Sequence, residues 1–223
     1  VPEPEWVRRL LAAERTERAA VGGAVEPLPG STALDWAFYL VDFYRYMPPL
    51  AAGPSRSLTV CNVAYRRARL EAISELWREI FHETAINEAL AARFGTLWIE
   101  PAARVAMRRH VRLRDAVYER YAFGRLFGCT RLEFIPANRR VAYAALAPAL
   151  PVLLLARMGA RCLRTPGTAV RYARALPYLV LLVLAWSWGE WLGYVTRRRP
   201  RSELVAPEAG EAGSGGAGAP VLG

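Results

Sequence analysis

Lysine is missing from this 223-residue chain: every one of its 30 Lys+Arg positions is arginine. Together with the excess of alanine, that usage marks a GC-rich genome. A net charge of +10 and a pI near 10.1 therefore point less firmly to an anionic partner than such values otherwise do. Cysteine is scarce as well. Cys61, Cys129 and Cys162 are isolated, with no CxxC and no histidine at ligand spacing, which excludes a disulfide framework and a zinc pattern and reads as reduced thiols in a cytosolic compartment. The opening Val1-Pro2-Glu3-Pro4-Glu5-Trp6 has neither the basic n-region nor the apolar h-region of a signal peptide. Because it does not begin with Met, the expectation is a chain that has lost its natural N-terminus. The basic charge comes without an RNP-like, zinc or helix-turn-helix signature, which argues against a nucleic-acid module.

What is present is apolar. A hydrophobic share of 53% is ample for a core, and the length allows one ordinary domain with an appendage. Trp6, Leu10, Leu11 and Ala13 form an apolar stripe that predicts an initial helix, and Val21-Gly22-Gly23-Ala24-Val25 predicts a short strand. An aromatic-rich helix is expected over 34–47, ending at Pro48-Pro49. A strand over 58–65, a helix over 67–81, a helix over 83–94 stopped by Gly95, two short strands over 96–99 and 103–107 flanking Pro101, and a helix over 113–131 complete the sequence through 138. The alternation gives an α/β class without an internal repeat.

Beyond Asn138 the character changes. Residues 141–156 carry no charge but include Pro148 and Pro151, while 175–195 carry one charge, Glu190. Spanning a bilayer core takes about 20 helical residues, so the second run is read as transmembrane and the first as borderline or re-entrant. The arginines between the runs and those after the second leave the positive-inside rule without a clear orientation. The Gly/Ala/Pro/Glu tail, 201–223, is of low complexity and expected to be disordered. An acid inside an apolar span is costly unless paired or near the interface, so Glu190 is expected to make an interhelical or interfacial contact, with handling of a lipid acceptor as the other reading.

Chemistry concentrates in a few motifs. Glu83 opens a helical segment, His82-Glu83-Thr84-Ala85-Ile86-Asn87, shortly after Cys61-Asn62-Val63-Ala64-Tyr65-Arg66-Arg67. A carboxylate at such a place can act as a general base, or it can simply be a solvated acid favoured by the helix dipole. Arg66 and Arg67 offer planar forks suited to phosphate, or form a solvated helix start. Arg120-Tyr121-Ala122-Phe123-Gly124-Arg125 suits an amphipathic helix laid against a membrane.

Taken in order with Val21-Gly22-Gly23-Ala24-Val25 and Pro101-Ala102-Ala103-Arg104-Val105, these motifs resemble the C-terminal half of a family 2 glycosyltransferase, over roughly residues 1–195. The stretch from Trp186 to Tyr194, with Gly189-Glu190 and Gly193-Tyr194, resembles the membrane tail of actinobacterial members. The resemblance implies a partial GT-A (Rossmann-like) domain over 1–138, a membrane-associated helical region over 139–200, and a nucleotide-diphosphate sugar as donor. It also implies a divalent cation, Mg or Mn, on an Asp-x-Asp motif in a nucleotide-binding half that this sequence does not contain, so no metal or cofactor is assigned to the chain itself and the chain alone is expected to be inactive. Glu83 takes the place of the family's usual Asp base, with His82 replacing the preceding acid. Asn62, Arg66, Arg67, Arg120, Tyr121, Gly124 and Arg125 take donor- or acceptor-binding positions. One departure stands out: where many relatives have a His two residues after the valine matching Val105, this chain has Met107, and His110 receives no metal role.

The expected function is a membrane-associated inverting glycosyltransferase acting on a lipid-linked or glycan acceptor, placed in the cell membrane with its catalytic part cytoplasmic. Membrane lipids are expected partners and nucleic acid is not. The alternative is a non-catalytic, Arg-rich membrane protein that binds anionic lipid headgroups.

Overall fold

The computed structural model describes residues 1–78, 81, 83–110, 112–131 and 137–198. His82 and the tail 201–223 lie outside them. The chain divides into two compact units, the first formed by Val1–Leu113 and Pro151–Val183, the second by Arg114–Leu150 and the stretch from Leu184 onward.

The first unit is built on a mixed four-stranded sheet. Its strands are β1 (Arg18–Pro27), β2 (Gly53–Ser55), β3 (Val63–Tyr65) and β4 (Thr96–Met107), in the order β2-β4-β1-β3. β1 runs parallel to β4 and antiparallel to β3, and β2 is antiparallel to β4. A parallel pair needs a long crossover. Here it contains helix α2 (Ala33–Phe43), β2, β3, the short helix α3 (Arg67–Glu71), a 3₁₀ turn at Ser74–Leu76 and helix α4 (Glu83–Phe94). Helix α1 (Trp6–Ala12) precedes the sheet and packs on β4.

β1 is buried nearly throughout, so it reads as a continuous small-apolar run with no alternation. Its glycines are required by what lies over them. A Cβ on Gly23 would stand 2.0 Å from the Ala103 carbonyl oxygen, and one on Gly22 would stand 2.8 Å from Leu58 Cδ2. The register jumps there from Gly23↔Glu100 to Ala24↔Arg104, so residues 101–103 bulge out of the pairing. Pro101 has no N–H for the ladder, which makes a bulge its natural place. The sheet packs against Leu10 and Ala13 of the N-terminal segment, with Trp6 and Trp98 beside them. Arg18 lies over the Trp98 ring at 3.6 Å.

Several expectations need correction. The strand expected over 58–65 forms only at Val63–Tyr65, because Asn62 N–H turns back to the Thr59 carbonyl at 3.0 Å and Leu58 is apolar for burial rather than for pairing. The helix expected over 67–81 stops at Glu71 and gives way to the 3₁₀ turn, with the Trp77 indole N–H donating back to the Leu70 carbonyl at 2.7 Å. The two strands expected around Pro101 are one bulged strand. The helix expected to 47 ends at Phe43. α4 and helix α5 (Leu113–Arg131) have the expected bounds. Gly95, at φ +106, ends α4 where a Cβ would stand 2.4 Å from the Glu17 carbonyl oxygen.

After α5 come α6 (Ala137–Leu146), a 3₁₀ turn at Ala147–Ala149, α7 (Leu150–Leu163) and α8 (Ala169–Thr196). Two stretches, Arg139–Leu163 and Ala169–Thr196, are long and apolar enough to cross a membrane, with mean hydropathies of 1.7 and 1.4. Few of their residues are buried within the protein, unlike those of a soluble core helix. The first was expected to be borderline over 141–156. It is longer because Pro148 and Pro151 sit in the 3₁₀ turn and at the start of α7, where a missing N–H is tolerated.

In the second unit, α5 and the C-terminal part of α8 meet through glycines. A Cβ on Gly124 would stand 2.2 Å from the Trp186 carbonyl oxygen, one on Gly128 2.4 Å from that of Glu190, and one on Gly189 2.1 Å from that of Tyr121. Gly193 completes the seam. Both helices thus carry a small-xxx-small repeat at the crossing, as closely packed membrane helices do. Glu190 is buried beside this seam and fully engaged. It accepts from the Tyr194 hydroxyl at 2.6 Å and the Trp186 indole N–H at 2.9 Å, and pairs with Arg131 of α5 at 3.9 Å. This is the interhelical contact that an acid in an apolar helix requires.

Candidate active site

The first turn of α4 places Glu83 against the loop 58–62. Its Oε2 accepts the Val60 backbone N–H at 2.9 Å, and the Thr59 hydroxyl is a second partner. Four residues along the helix, Asn87 donates to the Leu58 carbonyl at 2.7 Å. Ile86 and Leu90 anchor the same helix in the core, each worth about 1.5–3 kcal/mol of apolar burial. The acid therefore grips a neighbouring loop instead of standing in solvent at its own helix terminus.

Burial is the main influence on the Glu83 carboxyl and raises its proton affinity above the ordinary range. The Val60 and Thr59 hydrogen bonds oppose that shift, the Asp42 charge adds to it, and Arg45 works against it. Two phenols lie within electrostatic reach. Burial pushes Tyr46 and Tyr65 upward and the Glu83 charge adds to both shifts, so both are neutral hydrogen-bond donors near neutral pH. Tyr46 shares a hydrogen bond with Ser57 at 3.1 Å. The Tyr65 hydroxyl and Asn87 Oδ1 are buried and lack a hydrogen-bond partner among the described residues. Unsatisfied buried polar groups are rare enough to need a cause, and a ligand hydroxyl is one.

The other sequence-derived positions behave differently. Asn62 is fully buried, and its amide N–H groups donate to the carbonyls of Ala24 at 2.7 Å and Ala103 at 2.8 Å. Its Oδ1 accepts from the Trp6 indole at 2.8 Å, so it locks the bulge, the loop and α1 together and has no N–H left for a ligand. Arg66 pairs with Glu14, whereas Arg67 is exposed and has no ion pair among the described residues.

Arg120, Tyr121, Gly124 and Arg125 belong to the second unit. Arg120 is buried, donates to Glu119 at 2.8 Å and lies 5.4 Å over the Phe123 ring. Arg125 donates to the Arg198 carbonyl at 3.0 Å and to the Tyr121 hydroxyl at 3.3 Å. With Gly124 in the glycine seam, this stretch holds two helices together.

Tyr46, Thr59 and Asn87 were not singled out by sequence. Asn87 carried a signal, since it lies at i+4 from Glu83 on an otherwise apolar helix face. Tyr46 carried none. Among the described residues no group of three or more His, Cys, Asp and Glu side chains is placed to hold a metal ion.

No family model matches the chain, and no match is found among curated proteins or solved structures.

Proposed function

We propose that this chain carries the acceptor side of a membrane-associated, inverting glycosyltransferase, with a partial GT-A fold in its first unit and Glu83 as the base. The reading rests on one observation above others. Glu83 is an anchored carboxyl of raised proton affinity, whose charge acts on a buried tyrosine hydroxyl that has no hydrogen-bond partner among the described residues. A base whose pKa lies above the ordinary carboxylate range is better matched to a hydroxyl near neutral pH. The family resemblance supplies the reaction class.

In the proposed step, an acceptor hydroxyl oxygen forms a bond to the anomeric carbon of the donor sugar while its proton passes to Glu83. The bond from that carbon to the diphosphate oxygen breaks, and its electron pair leaves with the nucleotide diphosphate. Tyr65, through its hydroxyl, and Asn87, through Oδ1, orient the acceptor. Arg67 is the arginine of the Arg66-Arg67 pair left to attract an anion. The divalent cation expected for such a donor would neutralise the leaving diphosphate; the described residues offer no ligand cluster for it. The acceptor is a lipid-linked or glycan hydroxyl, and the catalytic part faces the cytoplasm.

The test is Glu83→Gln in the intact enzyme. Loss of a positioned base should lower sugar transfer about 10²- to 10⁴-fold, while nucleotide-sugar binding stays within about twofold of the wild type. Undiminished turnover would remove Glu83 from the role of base.

A further inference from the structure

A cavity of about 600 Å³ lies in the first unit, away from any residue assigned above. It is lined by the β1–α2 loop from Pro27 to Ala33, by Trp36 of α2, and by Arg171 and Arg174 of α8. The loop is held in shape. Leu28 N–H donates to the Met107 carbonyl at 2.9 Å, Ser31 closes a turn onto the Leu28 carbonyl, and Gly30 supplies the positive φ of +77 that this turn needs. Thr32 and Asp35 cap α2 reciprocally, each accepting from the other, so the buried Asp35 carboxylate is engaged in the cap.

The charge in this cavity is unbalanced. Arg171 and Arg174 sit three residues apart, on one face of the first two turns of α8. Both are exposed, and neither has an ion pair or hydrogen-bonded carboxylate among the described residues. Arg171 lies 5.1 Å over the Trp36 ring, which orients its guanidinium at the cavity. A third guanidinium is close by, with Arg108 Nη1 3.7 Å from where a Cβ on Gly30 would stand. Pro27, Leu28, Pro29 and Ala33 supply an apolar wall beside these cations.

We infer that this cavity binds the phosphate of an anionic membrane phospholipid, with Arg171 and Arg174 on the phosphate and the proline-lined wall against the glycerol and first acyl carbons. Paired guanidinium forks match phosphate oxygens. The lipid source follows from the helix that carries them: α8 is long and apolar enough to cross a membrane, and its first turns are where a headgroup meets such a helix. The assignment does not depend on Glu83 being a base, and its test contains no turnover.

The full chain in detergent is titrated with short-chain phosphatidylglycerol, with the matching diacylglycerol and with inorganic phosphate, and the thermal midpoint is followed. Phosphatidylglycerol should stabilise saturably, and the other two should not at the same concentrations. Arg171→Gln with Arg174→Gln should weaken the apparent affinity about tenfold per arginine, the weight of one charge-assisted hydrogen bond. A control, Arg157→Gln with Arg164→Gln, removes equal charge from and just after α7 and should leave the affinity within about twofold. The melting of each variant without lipid separates lost binding from lost folding. Unchanged affinity in the cavity variant, or an equal loss in the control, would overturn the site. Equal stabilisation by inorganic phosphate would overturn the lipid source, and equal stabilisation by diacylglycerol would overturn the role of the phosphate.

Discussion

Glu83 and Asn62 stand in successive sequence motifs, yet they carry different kinds of weight. A carboxyl that holds its proton more tightly in the folded than in the unfolded chain stabilises the fold below the unfolded pKa. That contribution is lost as pH rises through the folded value. Glu83 is raised above 4.5, so its contribution fades upward from about pH 4.5. Glu83→Gln keeps an acceptor for the Val60 N–H and removes the titration. Its thermal midpoint should gain on the wild type as pH climbs from 4.5 toward neutrality, and the gap should close below 4.5; a gap independent of pH would contradict the shift. Asn62→Ala should cost about 3 kcal/mol or more at every pH, because the Ala24 and Ala103 carbonyls and the Trp6 indole N–H all lose a buried partner. Chemical denaturation checks it. Sequence placed both residues near one site but could not tell them apart, since whether an amide binds a ligand or a bulge depends on what folds over it.

At the level of elements, legibility followed locality. α4 is readable because its terminating Gly95 acts within a few residues of the helix end, and α5 has the bounds read from the sequence. The 58–65 run reads as strand in sequence, yet Leu58 is apolar for burial against the Gly22 position of a distant strand and is followed by a turn. The sheet order and the bulge at 101–103 arise from pairings far apart in sequence. The α5–α8 seam is a further case. Both Gly-x-x-x-Gly repeats, Gly124/Gly128 and Gly189/Gly193, are plain in the sequence, but their mutual contact is visible only when the two helices meet. Gly128→Val should force the helices apart and cost about 1–3 kcal/mol or more, as overpacking of a tight contact does, while Gly167→Ala, in the turn between α7 and α8 where a Cβ meets nothing within 4 Å, should cost only its backbone strain at φ +74. Thermal midpoints in detergent compare the two. An equal, small loss for both would mean that the seam is not close packed.

The chain contains both a mixed four-stranded sheet with its helices and two long apolar stretches, and the two kinds of sequence are read by different physics. Apolar length is legible from sequence for the second stretch, where 175–195 already suffices to span, whereas Arg139–Leu163 is long enough only once Pro148 and Pro151 are accommodated in a 3₁₀ turn and at the start of α7. The chain should remain with membranes through a high-salt wash and an alkaline carbonate wash and be released by detergent. Release by salt alone would point instead to a surface held by its arginines, the non-catalytic alternative. The catalytic reading is tested most directly by the pH dependence of kcat/KM for sugar transfer by the intact enzyme, wild type against Glu83→Asp. The expected wild-type profile has an acidic limb set by a group above the ordinary carboxylate value of 4.5, and that limb should move in Glu83→Asp along with a fall in rate. An acidic limb that stays in place in the variant, with rate unchanged, would show that the base is another residue.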